Sequence, residues 1–218
     1  MDLHTIVSDV KNNGYVFVQA TEMRNLLPAE VLAGWASYAR SWNDLAEDTY
    51  MADGGRYRKR RHAAFEVTAQ DILRKEHQPH YQSLDHNNLN GGIERWFEPV
   101  TPEAGEGRVN RALLDLCRSV FTGAGTGAAA RYHVEMHQFR IEPHATGAGK
   151  PTPEGVHRDG VDWVCVLLVD RVNVNQGVTG IFTPDGKNLG DFTLTAPMDC
   201  VFLDDHRDVL VLTFTRKP

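Results

Sequence analysis

The chain has 218 residues, a formal net charge of −6, and 41% hydrophobic and 9% aromatic side chains. That is enough apolar material for one globular domain with its own core, and too much for a disordered chain. The negative charge argues against nucleic acid or an anionic membrane as partner, and no apolar run is long enough to span a bilayer.

The N-terminal stretch "MDLHTIVSDVKNNGYVFVQA" has neither a basic start nor a long apolar segment, so no export signal is predicted and a cytoplasmic location is expected. After Pro28, apolar residues at Val31, Leu32, Trp35, Tyr38, Ala39 and Trp42 recur on one helical face. A second helix is predicted over roughly Pro102 to Phe121, with Val109, Leu113, Cys117 and Val120 inward and Gly123 as its stop. From Tyr132 the pattern turns to strands. "YHVEMHQFRIE" alternates, "VDWVCVLLVD" is continuously apolar, and "GVTGIFTPDGKNLGDFTLTA" reads as a hairpin turning at Pro184-Asp185-Gly186. "DCVFLDD" and "DVLVLTFTRKP" follow. The predicted fold is α+β and mainly β: a helix-rich part with some strands over 1–130, then a jelly-roll core over 131–218, in one domain. Cys117, Cys165 and Cys200 each lie in an apolar segment and read as reduced core thiols.

The chemistry-bearing stretch is "GVHRDGVDWVCVLLVD", residues 155–170. In an extended chain, His157 and Asp159 point to the same side and can offer an imidazole nitrogen and a carboxylate oxygen to one ion. Two histidines and one carboxylate on one face of a metal is the arrangement of non-haem Fe(II) oxygenases. His-x-Asp alone is common, and a solvated strand end is its ordinary explanation. Gly155 and Gly160, which bracket the pair, and the buried strand after it favour the metal.

Five segments, "HVEMHQFRI" (133–141), "GKPTPEGVHRDGVDWV" (149–164), "NVNQGVTGIF" (173–182), "LGDFTLTAPMDCVFLDD" (189–205) and "RDVLVLTF" (207–214), resemble bacterial 2-oxoglutarate/Fe(II)-dependent dioxygenases of the L-isoleucine 4-hydroxylase-like group. "GGRYRKRRHAAFEV" (54–67) and "QPHYQSLDHNNLNGGIERWFEPV" (78–100) are also similar to that family. The resemblance implies a double-stranded β-helix core that uses Fe(II), 2-oxoglutarate and O2. It implies hydroxylation of a free L-amino acid with an aliphatic or cyclic side chain, releasing succinate and CO2. It makes His157 and Asp159 the iron ligands and gives Arg207 to the distal carboxylate of 2-oxoglutarate, which a planar guanidinium suits.

One departure stands out. The family carries a second iron histidine after "LDD", in a stretch resembling His-Gly-Val-Thr-Pro, whereas here Asp205 is followed at once by His206 and Arg207. Three accounts present themselves: a loop that belongs between Asp205 and Arg207 but is missing from the sequence as read, a deletion that binds metal poorly, or His206 as substitute ligand. The first is favoured, because long loops beside such sites are common. In a regular strand His206 and Arg207 face opposite ways, so His206 reaches the interior only through a turn or bulge.

Elsewhere, "RYRKRRH" (56–62) reads as a strand with Arg56, Arg58 and Arg60 on one face. Arg58 is a candidate clamp for a substrate carboxylate, with a solvated face as the alternative. Tyr81 and Asn90 lie in a loop stretch that could touch substrate. His77, His80 and His86 receive no ligand role. His133 and His137 share one face of their strand and Gln138 and Arg140 the other, so only one set can line the cavity; Gln138 is the substrate candidate. Two rival readings remain: a small-molecule binding protein that kept the fold but lost iron, and a metal enzyme of another class on the same scaffold.

Overall fold

The computed structural model describes residues 1–51, 54–86, 91–125, 131–142, 159–174, 177–207 and 209–212. Helix α1 (Leu3–Asn13) starts at Asp2, whose carboxylate accepts from Thr5 N at 2.8 Å, and buries Ile6 and Val10. Strand β1 (Tyr15–Val18) follows. The helix expected after Pro28 forms as short pieces: α2 (Ala20–Asn25) precedes it, then α3 (Ala29–Leu32), α4 (Trp35–Arg40) and a 3-10 turn over Ser41–Asp44. The break falls at Ala33-Gly34, where glycine disfavours a continuous helix. The apolar face still packs inward: Val31 and Tyr38 are buried, with Leu32, Trp35 and Trp42 against them.

Strand β2 (Ala46–Glu47), the eleven-residue β3 (Arg58–Thr68) and β4 (Ile72–Arg74) come before the second helical region. That region divides into α5 (Pro102–Gly105) and α6 (Arg108–Ala124). Gly123 does not stop α6, as the sequence suggested. It lies inside the helix, where a Cβ would meet Val7 Cγ1 at 2.9 Å, so its missing side chain lets α1 and α6 approach closely.

The remaining strands are β5 (Arg131–Ile141), β6 (Trp163–Leu167), β7 (Val178–Phe182), β8 (Asn188–Thr193), β9 (Cys200–Asp204) and β10 (Val209–Leu212). All strand pairs are antiparallel, in the groups β1-β9-β6, β10-β7-β8 and β2-β3-β4, with β5 also on β3. The β7–β8 hairpin turns where the sequence placed it, with Gly186 N donating to Thr183 O at 2.8 Å. The result is a mixed helix and sheet fold. Among the described residues no helix is long and apolar enough to cross a membrane.

Two cores follow. One joins α1, β1, α2, α3, α4, α6 and β9, with Trp163 of β6 stacked on Phe121 of α6 at 5.3 Å between ring centroids. The other lies under β3, where Ala63, Phe65 and Val67 meet Val100, Ala104 and Leu114, and Tyr132, Val134 and Met136 of β5 pack alongside. The cysteines are free, with Cys165 Sγ 3.5 Å from Cys200 Sγ across β6 and β9.

Phe65 is 1% exposed at the centre of the second core. Phe65→Ala is expected to cost about 3–5 kcal/mol in urea unfolding, against under about 1 kcal/mol for Leu73→Ala on the exposed side of β4. Equal losses would mean that β3 does not present this face to the core.

Candidate metal and substrate site

The β3–β5 pairing builds the site. Its register sets Arg60 opposite Phe139, His62 opposite His137, Ala64 opposite Glu135 and Glu66 opposite His133. Directly paired residues point to the same side, so these side chains share the face away from the apolar core. The face of β5 turned away from the apolar core is that of His133, Glu135 and His137. Gln138 is on the other side, fully buried, and donates to Ser41 Oγ at 2.9 Å. Gln138, the expected substrate contact, therefore lies on the opposite side of β5 from the histidine and glutamate group. A strand residue one position away from a site residue faces the opposite layer, and here that layer is helical.

A third segment crosses this face. His80 and Arg95 exchange backbone hydrogen bonds at 3.0 and 2.9 Å, which presents the His80 ring to the strand pair. His62, His80, Glu135 and His137 then form a group whose ligand atoms lie within 4.8 Å of one another, a set that could hold a metal ion. His80 Nδ1 lies 2.5 Å from Glu135 Oε2, and His137 Nε2 3.4 Å from the same oxygen.

The protonation states suit a cation. Burial works against the charge of Glu135, but hydrogen bonds from His137 and His80 outweigh it and hold the carboxyl well below the usual range. Burial pushes His62 down to about 4, and burial together with Arg60 holds His137 well below an ordinary imidazole. At neutral pH the group thus holds an ionised Glu135 carboxylate beside neutral His62 and His137 imidazoles. Imidazole and carboxylate donors in this state fit a divalent first-row ion.

Asp159 stands next to this group. Gln82, two residues from His80, donates from Nε2 to Asp159 Oδ1 at 3.3 Å and to its carbonyl at 3.2 Å. Arg95 Nη2 donates to Gln82 Oε1 at 2.8 Å, which fixes the amide orientation and makes Nε2 the donor toward Asp159. From the other side, the Asp205 carboxylate accepts from the backbone N–H groups of Asp159, Gly160 and Val161 at 3.2, 2.8 and 3.2 Å. Gly160 has φ 78°, and a Cβ there would meet the His86 ring at 2.4 Å, so glycine is required on both counts.

The other predicted site residues fare differently. His157 and Asn90 lie outside the described residues. The chain runs through Asp204-Asp205-His206-Arg207 in a turn closed by Arg207 N donating to Asp204 O at 3.1 Å. His206 is exposed and its Nε2 meets Asp162 Oδ1 at 2.9 Å. Arg207, expected on 2-oxoglutarate, instead donates to Lys11 O and Asn12 O at 2.8 and 3.0 Å. Those are last-turn carbonyls of α1, which lack helical partners and attract a cation. Arg58 is buried and paired with Asp48 at 2.7 Å, so its charge is matched within the protein. Tyr81 is 58% exposed beside His80 and Gln82.

His62, His80 and Glu135 were missed as ligand candidates. The strand pattern His133-x-Glu135-x-His137 carried a signal, a carboxylate between two imidazoles on one face. His62 and His80 reach it only through pairings distant in sequence.

A pH dependence follows for the metal-free protein. His62 titrates near 4 when folded and 6.5 as its reference, so between those values the unfolded chain binds more protons and stability falls as pH drops. Denaturant unfolding at pH 7.5 and 5 should show a loss of about 2 kcal/mol from this group, and more with His137. His62→Gln should flatten that slope; an unchanged slope would contradict the burial of a neutral imidazole.

The model of the 2OG-Fe dioxygenase family matches residues 39–212. The crystal structure of a bsmA homolog from Methylobium petroleophilum PM1 superposes with TM-score 0.89 at 33% identity, covering 100% of this chain and 86% of that one. IDO from Bacillus thuringiensis shares the fold at TM-score 0.75 and 13% identity, with 100% of both chains covered. So does the Fe(II)/(alpha)ketoglutarate-dependent dioxygenase TqaL, at TM-score 0.74 and 18% identity, with 98% of this chain and 80% of that one covered. No curated protein sequence matches the chain. With most of its length matched by the family model and a full-length likeness to a solved structure at one-third identity, this chain belongs to the 2OG-Fe dioxygenase family.

Proposed function

We propose that this protein hydroxylates a free L-amino acid with an aliphatic or cyclic side chain, as the isoleucine 4-hydroxylase-like group does, with release of succinate and CO2. Fe(II) and 2-oxoglutarate are the cofactor and co-substrate of its family, with O2 as the oxidant. The observation that carries the reading is the polar β3–β5 face, with an ionised Glu135 beside the neutral His62 and His137, set against the anchored Asp159 turn. The substrate class rests on the sequence resemblance, and the acidic chain gives no basic groove for nucleic acid. On this reading the chain is a single domain whose later strands close into a double-stranded β-helix.

His157 and Asp159 are the proposed iron ligands. When bound, the iron and 2-oxoglutarate supply the oxidising chemistry, one oxygen atom entering succinate and one the substrate. The protein's own part is positional. Asp205 holds the backbone under Asp159 through three N–H groups, and Arg95 aims the Gln82 amide at the Asp159 carboxylate. Such outer partners set the direction and basicity of a ligating group. Tyr81 borders the same segment and is retained as a substrate contact.

A second reading, a binding protein without turnover, is favoured by one observation: His206 and Arg207 are engaged with Asp162 and α1. Succinate formation separates the two. With Fe(II), 2-oxoglutarate and a panel of free L-amino acids, at least one amino acid should stimulate succinate release and gain one oxygen. Asp159→Ala should abolish this, and Gln82→Ala should reduce it roughly 10–100-fold while the fold persists. An iron-loaded protein that ignores the whole panel would remove the amino-acid assignment; equal activity in Asp159→Ala would remove the ligand assignment.

A further inference from the structure

Three thiols gather where β6, β9 and α6 meet. Cys165 Sγ lies 3.5 Å from Cys200 Sγ, and the Cys165 thiol also meets that of Cys117 on α6. The strand register explains the first contact. Cys165 is opposite Phe202 and Leu167 is opposite Cys200, so the two cysteines are diagonal neighbours on one face of the β6–β9 ladder. Trp163, two residues before Cys165, stacks on Phe121 of α6 from that same face.

The pair differs in access. Cys200 is fully buried, whereas Cys165 is exposed on a strand that pairs with β9 alone among the described residues. Free cysteine is among the most buried residue types, so an exposed thiol set against a buried one is more than packing calls for. A hydrogen bond with Cys117 lowers the Cys165 thiol, but that with Cys200 and the packing around its sulfur outweigh it and hold it well above the ordinary range. At neutral pH the thiol is therefore protonated and slow to react, which keeps the pair reduced until oxidant is in excess.

We propose that Cys165 and Cys200 are an oxidative modification site, joined by a peroxide into a reversible disulfide that ties β6 to β9. The Cys165 thiolate attacks one oxygen of hydrogen peroxide, the O–O bond breaks, and Cys165 becomes a sulfenic acid as water leaves. The Cys200 sulfur then attacks that sulfur and displaces its hydroxyl, which departs as a second water with the Cys200 proton. Two thiols have given up two electrons, and one peroxide has become two waters. The sulfurs must close from 3.5 Å to about 2.0 Å, a movement that an edge strand and a side-chain rotation can supply. The ladder so fastened ends at the Trp163–Asp204 pair, beside the contact of Asp205 with the Asp159 turn.

The test treats the folded protein, stripped of metal with a chelator so that no bound ion consumes the oxidant, with excess hydrogen peroxide at about pH 8.5, where more of the thiol is ionised. N-ethylmaleimide in denaturant then blocks the remaining thiols before trypsin is added without reductant. Trypsin places the three cysteines on separate peptides, 112–118, 159–171 and 188–207. The expected product is a monomer about 2 Da lighter, with one thiol left of three and peptide 159–171 joined to 188–207. Dithiothreitol should restore all three thiols. Cys117→Ser should still form the link, whereas Cys165→Ser, a replacement at an exposed position, should keep both of its thiols under the same treatment. Peptide 159–171 joined instead to 112–118, Cys165 recovered as free thiol or sulfinic acid, or a link found only between two chains overturns the proposal.

Discussion

The antiparallel pairing of β3 with β5 is the constraint on which the rest of the molecule depends. Eleven residue pairs in continuous register fix, at one stroke, which side chains meet the helices and which meet the site. One face gives Phe65, Val67 and Met136 to the apolar layer under α6. The other gives His62, Glu135 and His137 to a polar hollow. A slip of one residue would exchange the two sets, placing charged groups against the core and apolar groups in the site. The core's demand for apolar contact thereby holds the site in register.

The hollow is then tied to a second sheet. Asp205, at the end of β9, collects the backbone N–H groups of Asp159, Gly160 and Val161, while Gln82 reaches the Asp159 carboxylate from the segment that carries His80. Burial and the nearby Asp159 charge both raise the Asp205 carboxyl, and hydrogen bonds from the same three residues oppose that rise. Two carboxylates close together are tolerated because each is met by donors. The Arg95–Gln82–Asp159 chain and the Glu135–His80 contact are set side by side by the backbone pairing of His80 with Arg95.

Much of this was legible in the sequence where the signal is local. Alternation through 56–62 and 132–142 marked strands, and Pro184-Asp185-Gly186 marked the hairpin. The misses have physical causes. Gly123 reads as a helix stop, yet its lack of a side chain serves α1–α6 packing inside the helix. Arg207 reads as a strand residue facing inward. In the fold, the tight turn after β9 brings it to the carbonyls of α1, whose unsatisfied oxygens claim it. His62 and His80 carry no motif between them, and only the pairings His62–His137 and His80–Arg95 bring them together.

On the proposed reading, the metal-dependent chemistry takes place where the Asp159 turn meets the polar face of the β3–β5 pair. The most direct measurement is paramagnetic broadening by Mn(II) of histidine side-chain resonances in protein labelled with 15N-histidine, with 2-oxoglutarate present. The account predicts that one equivalent of Mn(II) broadens His62, His80 and His137 and spares His4, which is exposed on α1. Sharp resonances from all three site histidines beside a bound Mn(II) would contradict it.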